Sequence, residues 1–276
     1  MWISFAILFF ILGLIVGSFL NVVILRLNTR SLRGRSACMS CQNKLRFYEL
    51  VPLFSFFLLK GRCRTCKTKI SIQYPLVEFI TGLIFALLFF KLSAGGGSAF
   101  GGQDYLVFAI IYAYYAVMFS ILIVVAVYDL KHKIIPDMLS FVFGTLAFAG
   151  LFFIHSNDPS GILGFYWQIP SVLEFLSGVF IAFPFAFFWF ISGGRWMGLG
   201  DAKLALGIGW LLGITLALSG LVIAFWSGAI IGICLVVFPK KHRINGMGMK
   251  SEIPFAPYLV LGALLAFLFE LHIFYF

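Results

Sequence analysis

The sequence predicts an all-α membrane protein that crosses the bilayer several times. Of its 276 residues, 62% are hydrophobic and 11% are charged, whereas soluble domains usually carry about 25% charged residues. Apolar runs long enough to cross a hydrocarbon core of about 30 Å as helices recur along the whole chain. One longer polar stretch, near residues 26–75, interrupts them after the first run.

By this length criterion we predict about eight transmembrane helices. In chain order they cover Trp2–Ile24, Leu76–Phe90, Tyr105–Val127, Met138–Ile154, Val172–Ile191, Ala202–Ala217, Gly220–Phe238 and Pro254–Phe274. The second and sixth runs are short, so their ends are the least sharply defined.

The distribution of Lys and Arg predicts the orientation of these helices. All of the 20 basic residues except Lys91 fall in the polar insert or in alternate loops, including the loop at 239–252. Positively charged loops are retained in the cytoplasm. We therefore expect a first helix at 1–25, a cytoplasmic insert at 26–75, a multi-helix domain at 76–276, and both termini outside. The net charge of +10 then favours anionic lipid as the counter-charge and not nucleic acid.

Two Cys-x-x-Cys pairs in the insert predict a zinc site. Cys38 and Cys41 form one pair and Cys63 and Cys66 the other, with 21 residues between the pairs. Tetrahedral zinc takes four thiolates, two from each tight turn, and four thiolates leave no open position for water, which indicates a structural metal. The alternatives are two disulfides or four free thiols, although disulfides are disfavoured in a reducing cytoplasm.

Asp129 lies at the inner end of the third predicted helix, where the apolar run meets a basic loop. The residues that follow include Lys131 and Lys133. A carboxylate in this position is either a functional acid or an interfacial charge neutralised by the adjacent lysines. Asp137, which follows Pro136 and precedes the next helix, is expected to act as a helix cap.

Asp201 follows a loop that has four glycines in the nine residues 192–200. Glycine permits positive φ angles and close backbone approach. The structural alternative makes Asp201 the N-cap of the sixth helix and the glycines a hinge. The glycines and Lys203 do not form the spacing of a P-loop.

The pairing of Asp129 with Asp201 favours catalysis. The topology places both carboxylates at the cytoplasmic face, at helix ends that can approach each other. If they do approach, repulsion is expected to leave one acid protonated and one ionised, as in aspartic proteases. The ionised acid would activate water while its partner polarises the scissile carbonyl. This arrangement hydrolyses peptide bonds.

At this point the chain resembles the type IV prepilin peptidases, bifunctional leader peptidases and N-methyltransferases of the GxGD aspartic protease class. The resemblance covers nearly the whole chain, and the order of its motifs makes it specific. The matching segments are Gly17-Ser18-Phe19-Leu20-Asn21, the two cysteine pairs, Tyr74-Pro75-Leu76-Val77-Glu78, Tyr128-Asp129, Gly198-Leu199-Gly200-Asp201 and Pro254-Phe255-Ala256-Pro257-Tyr258.

The resemblance implies a substrate and a second activity. The substrates would be type IV prepilins or type II secretion pseudopilins, cleaved by Asp129 and Asp201 at the cytoplasmic face of the bacterial inner membrane. Methylation of the new N-terminus by S-adenosylmethionine would follow; a leader peptidase without methylation is the alternative. Asn21, Glu49 and Glu78 are candidates for substrate positioning or methyl transfer. Structural alternatives are pairing of Glu49 with basic residues and an interhelical hydrogen bond of Asn21.

Two other functions compete with this interpretation. A transporter with a zinc module would place its acids near the bilayer midplane, preferably with inverted repeats, whereas both aspartates here lie at one surface. A GxGD protease with other substrates, such as an archaeal-type preflagellin peptidase, is disfavoured by the large cysteine-bearing insert.

Overall fold

A computed structural model describes residues 2–27, 34, 36–94, 105–155, 164–165, 167–195, 197–237 and 254–273. The predicted basic loop at 239–252 lies outside the described residues. The chain forms two compact units, residues 1–124 and 125–276.

Helices account for most of the described chain. Five of them are long and apolar enough to cross a membrane, namely α1, α3, α4, α6 and α7, and α5 and α8 are shorter apolar helices. The prediction of an all-α polytopic membrane protein is confirmed. The elements are α1 (Trp2–Arg26), a 3-10 helix (Phe47–Leu50), α2 (Phe54–Leu58), α3 (Gln73–Ala94), α4 (Tyr105–His132), α5 (Asp137–Phe153), the antiparallel pair β1 (Ile154–His155) and β2 (Gly164–Phe165), α6 (Val172–Ser192), α7 (Leu199–Val237) and α8 (Ala256–Phe269).

The sixth and seventh predicted helices meet at Gly213, so the boundary predicted at 218–219 was wrong. Gly213 has φ 73° and ψ 173°, a conformation that interrupts the helix and favours glycine. Ser219 instead stays helical and donates its hydroxyl to the Thr215 carbonyl. A straight helix of 39 residues would measure about 58 Å, well beyond a hydrocarbon core of about 30 Å. The break at Gly213 divides α7 into two shorter helical segments, which can both lie within the thickness of the hydrocarbon core.

In the first unit, α1 and α3 run antiparallel in close contact. A Cβ added at Gly13 would lie 2.7 Å from the Gly82 Cα, and one added at Gly17 would lie 2.8 Å from the Glu78 Cα. One turn further along α1, the Asn21 side-chain amide donates to the Tyr74 carbonyl at 3.0 Å. Small residues at such contacts are usual in membranes, where close backbone approach replaces the hydrophobic effect as the driving force.

In the second unit, α5, α6 and α8 pack against α7. The contact between α7 and α8 is the tightest: a Cβ added at Gly262 would overlap the Gly220 carbonyl oxygen, and one added at Gly220 would lie 3.0 Å from the Gly262 oxygen. Because α8 is short, this contact also determines where its first residue, Ala256, is held.

We predict that Gly262→Ala destabilises the second unit, because the added methyl group must push α8 away from α7. Overpacking of this kind costs about 1–3 kcal/mol. Gly144→Ala is the matched control, since a Cβ at Gly144 meets nothing within 4 Å. Thermal unfolding in detergent should show a lower midpoint for Gly262→Ala only; equal midpoints would contradict the close contact.

Candidate active site and metal centre

Asp129 lies in the last turn of α4 and is buried, with 5% of its surface exposed. Its Oδ2 accepts a hydrogen bond from the backbone N–H of Ala256 at 3.2 Å. Ala256 is the first residue of α8, so its N–H has no partner within that helix. A helix N-terminus also favours a nearby negative charge. The polar partner of Asp129 is therefore a helix end, and not the adjacent lysines.

Asp201 is the third residue of α7, which begins at Leu199. Its backbone N–H donates to the Gly198 carbonyl at 3.3 Å. The alternative that made Asp201 an N-cap is therefore wrong, because the helix starts two residues earlier. Its side chain is half-buried. A Cβ added at Gly198 would lie 3.9 Å from Asp201 Oδ2, so glycine leaves space beside this carboxylate.

The carboxyl groups of Asp129 and Asp201 both lie in the second unit, near enough for the charge of Asp129 to act on Asp201. Asp129, in the last turn of α4, accepts the N–H of Ala256. Asp201, in the first turn of α7, lies beside Gly198. The fold thus brings together the two acids that the sequence placed at one membrane face. A neighbouring pair of acids can accept a proton at one member and donate a proton from the other.

The close approach of Gly200 to Ile135 positions the first turn of α7. A Cβ added at Gly200 would lie 2.9 Å from the Ile135 Cβ. Ile135 belongs to the short connection between α4 and α5 that follows Asp129. Glycine at position 200 therefore brings the turn that carries Asp201 against the segment that follows Asp129.

The sequence predicted that Asp137 caps α5, and the structure shows that this prediction was wrong. Asp137 is the first residue of that helix, Pro136 is the N-cap, and no side-chain capping hydrogen bond forms. The Asp137 carboxylate instead pairs with Lys203 Nζ at 2.6 Å, with side-chain exposures of 79% and 44%. A pair this exposed contributes about 0–1 kcal/mol. Asp137 is thus a solvated surface charge, unlike the buried Asp129.

The four cysteines of the insert converge on one point. The sulfurs of Cys38, Cys41, Cys63 and Cys66 lie within 4.8 Å of one another, and those of Cys38 and Cys66 are 3.8 Å apart. Zinc bound tetrahedrally at about 2.3 Å requires sulfurs about 3.8 Å apart. The donor set and its spacing therefore suit zinc. The disulfide alternative is not supported, since no disulfide joins any two of the four cysteines.

The two cysteine turns repeat the same backbone pattern. The N–H groups of Cys38 and Cys63 donate to the carbonyl five residues later, at 3.0 and 2.9 Å. Their carbonyls accept from Gln42 and Lys67, four residues later, and both of these residues have positive φ angles, 55° and 58°. Each turn thus presents its pair of sulfurs in the same way, as a four-sulfur site requires.

Hydrogen bonds favour the thiolate form of one cysteine in each turn, Cys38 and Cys66, whereas burial and the neighbouring thiols raise the pKa of Cys41 to about 11. The N–H groups of Cys41 and Ser40 hold the pKa of the Cys38 thiol below its usual value. The Thr68 hydroxyl and the Thr68 N–H lower the pKa of Cys66 to about 6. Because thiolates are the form that binds metal, these contacts prepare Cys38 and Cys66 for zinc, and binding of the metal has to displace the proton of Cys41.

The remaining polar candidates lie in the first unit. Glu49 accepts the Arg46 backbone N–H at 2.8 Å at the start of the 3-10 helix, so within the described part of the insert its partner is a backbone group and not a basic side chain. Glu78 is 8% exposed and accepts the Leu53 N–H at 2.8 Å. Asn21 makes the expected interhelical bond through its amide, while its Oδ1 is buried without a partner among the described residues.

Sequence reasoning missed the backbone N–H of Ala256. The motif around it was recognised only as a resemblance, without a role. Pro257 gives a signal, because proline is typical of the first turn of a helix, where N–H groups lack partners. The identity of the acceptor, however, depends on tertiary structure.

Comparisons with known proteins find relatives over nearly the whole chain. The bacterial peptidase A24 N-terminal domain matches residues 11–92, and the type IV leader peptidase family matches residues 116–233. A prepilin leader peptidase/N-methyltransferase of Aeromonas salmonicida (strain A449) is 30% identical, over 97% of this chain and 91% of its own. Proteins with the same description from Bacillus subtilis (strain 168) and Myxococcus xanthus (strain DK1622) are 32% and 36% identical, over 94% and 84% of this chain and 92% and 64% of theirs. No solved structure matches the chain significantly.

We predict that Cys63→Ser removes most of the bound zinc, because three thiolates and one hydroxyl hold the metal less tightly than four thiolates. Cys234→Ser is the matched control, since Cys234 is exposed on α7 and is not one of the four clustered cysteines. Metal analysis of the purified chain should find about one zinc per chain in the control and a several-fold lower content in Cys63→Ser. Equal zinc in the two variants would rule out the cluster.

Proposed function

The chain belongs to the type IV leader peptidase family, and on that premise we propose that Asp129 and Asp201 cleave the leader peptide from prepilins. The chain is a prepilin leader peptidase that also N-methylates its product, the two activities named for its relatives. The observation that carries the proposal is the buried Asp129. Its carboxylate accepts a hydrogen bond from the N-terminus of α8, and its charge acts on Asp201.

In the proposed reaction the two carboxyl groups share one proton, because a doubly ionised pair would repel itself. The ionised carboxylate takes a proton from water, and the water oxygen bonds to the scissile carbonyl carbon. The protonated acid donates a hydrogen bond to the carbonyl oxygen. When the C–N bond breaks, a proton passes to the leaving amine. Both protonation steps belong to the pair and not to a fixed member.

The two acids of the pair have different neighbours. The Ala256 N–H orients one oxygen of Asp129 and leaves its other oxygen available to water or substrate. The glycine at position 198 leaves room beside Asp201 for an extended substrate backbone. Burial excludes bulk water, so the attacking molecule is held by the acids themselves.

The substrates follow from the membrane setting. The carboxylates lie at helix ends, so the apolar helix of a prepilin can stay in the bilayer while its leader reaches them. We place the pair and the zinc insert on the cytoplasmic side with both termini outside, because positively charged loops are retained in the cytoplasm. Pseudopilins of type II secretion share this design and fit the same site. We propose that the chain is divided into a first transmembrane helix at 1–25, the zinc-binding insert at 26–75 and a multi-helix peptidase domain at 76–276.

A metal ion and a methyl donor complete the proposal. The four cysteines hold zinc in a structural role, because a site filled by four thiolates has no position for a reacting water. S-adenosylmethionine supplies the methyl group for the new N-terminus when it is bound. Asn21 and Glu78 remain candidates for holding that amine, since both are buried and polar.

We predict that Asp129→Asn and Asp201→Asn each abolish cleavage of a prepilin in detergent, because an amide can neither take a proton from water nor return one. Loss of a general acid or base costs about 100-fold to 10,000-fold in rate. Asp137→Asn is the matched control, since Asp137 is also an aspartate at a helix end, the first residue of α5, but lies on the surface. Cleavage is measured by the mobility shift of the mature pilin.

The control should retain nearly the wild-type rate, and all three variants should keep their zinc and their unfolding midpoint. Substantial cleavage by Asp129→Asn or Asp201→Asn would disprove the catalytic pair. A large loss in Asp137→Asn would extend the site beyond it.

We also predict that Asp201→Asn still methylates a pilin that has already been cleaved. The methyl transfer needs an amine and a methyl donor and has no use for the hydrolytic acids. Incorporation of labelled S-adenosylmethionine into pre-cleaved pilin should stay within about twofold of wild type, a change smaller than the loss of one typical hydrogen bond. Joint loss of both activities would place the two reactions in one site.

A further inference from the structure

Several large apolar side chains of the zinc insert are exposed. Its 3-10 helix, α2 and the residues beside them form what we term the apolar face. Phe47 is 84% exposed and Phe57 71%. Contiguous apolar surface of this kind marks a site of protein or membrane interaction. The apolar face comprises Phe47, Leu50, Val51, Phe54, Phe57 and Leu58.

A buried hydrogen bond determines the depth of the apolar face. The backbone N–H of Leu53, at the centre of the face, donates to Glu78 Oε2 at 2.8 Å. Glu78 is the sixth residue of α3, about 7.5 Å along the helix from its first residue. Since α3 crosses the membrane, Leu53 is held beside its second turn and not in the solvent beyond its end. The side chains around Leu53 are therefore at the level of the bilayer interface.

The charges around the apolar face indicate what covers it. Within residues 36–72 the chain has seven basic residues, and Glu49 is the one acid. Arg46 precedes the 3-10 helix, and Lys60 and Arg62 follow α2 directly. An apolar face bordered by Lys and Arg is typical of segments that lie in the headgroup region of anionic membranes. The same charges disfavour a basic peptide as the occupant.

We propose that residues 47–58 are a membrane-interface segment that docks the zinc insert on anionic phospholipid. The insert is continuous with α1 and α3, so the lipid that surrounds these two helices is also the surface nearest to the apolar face. Cys63 follows α2 after only a few residues. Folding of the second cysteine turn thus constrains the position of α2 next to the bilayer, and the hydrogen bond to Glu78 constrains the position of Leu53.

The test is a photo-cross-link in lipid nanodiscs. Benzoylphenylalanine replaces Phe57 in the full chain, and the control places it at Met39, which is 63% exposed in the first cysteine turn. The discs contain equal parts of phosphatidylcholine and phosphatidylglycerol. We expect a lipid adduct at position 57, found by mass spectrometry, at several times the yield at position 39. Zinc content verifies that both inserts are folded.

Absence of a lipid adduct at position 57, or equal yields at the two positions, would overturn the proposal. A cross-link from position 57 to another part of this chain would do the same, because the apolar face would then be covered by protein. Discs of phosphatidylcholine alone should give a lower yield at position 57; an unchanged yield would overturn the choice of anionic lipid. The cross-link needs no peptidase assay, so it stands or falls separately from the catalytic pair.

A second pair of variants tests the role of Glu78. Glu78→Gln keeps an oxygen that accepts the Leu53 N–H, whereas Glu78→Ala removes it. The adduct yield at position 57 should fall several-fold in Glu78→Ala and stay near the original in Glu78→Gln. A lower yield in neither variant would show that Glu78 does not hold the segment. Zinc content again separates this effect from unfolding of the insert.

Discussion

The hydrogen bond from the Ala256 N–H to Asp129 is the constraint on which the second unit depends. Burying a carboxylate costs several kcal/mol unless a polar group compensates it, and here the N-terminus of α8 does so. That helix can be there only because Gly262 allows it to lie directly on α7. Since α7 also carries Asp201 in its first turn, one set of helix contacts positions both acids.

The sequence predicted the two acids because membrane topology is a one-dimensional property. Apolar length and the distribution of Lys and Arg place Asp129 and Asp201 at one face without any knowledge of packing. The four clustered cysteines are likewise local, since each cysteine pair lies within one tight turn. These parts of the site follow from the order of residues along the chain.

Other parts depend on tertiary packing and could not be predicted in this way. The Ala256 N–H is a backbone donor that every residue except proline possesses, so no residue type identifies it. Asp137 occupied a helix start but found Lys203 instead of a backbone partner. The break in α7 fell at Gly213 and not near Gly220, because Gly220 is needed for close contact with α8. Glycine thus marks both hinges and contacts, and only the packing separates the two uses.

The positions of the acids also favour the proposed hydrolysis over transport. A carboxylate that carries ions across a membrane is needed near the midplane, where discontinuous helices bind the ion. Asp129 is in the last turn of α4 and Asp201 in the first turn of α7, and the break in α7 at Gly213 is three turns away from Asp201. An acid pair at helix ends meets a peptide that arrives from the water while its apolar helix stays in lipid. An insert held at the same interface by Glu78 would place the zinc module at the level from which the leader approaches.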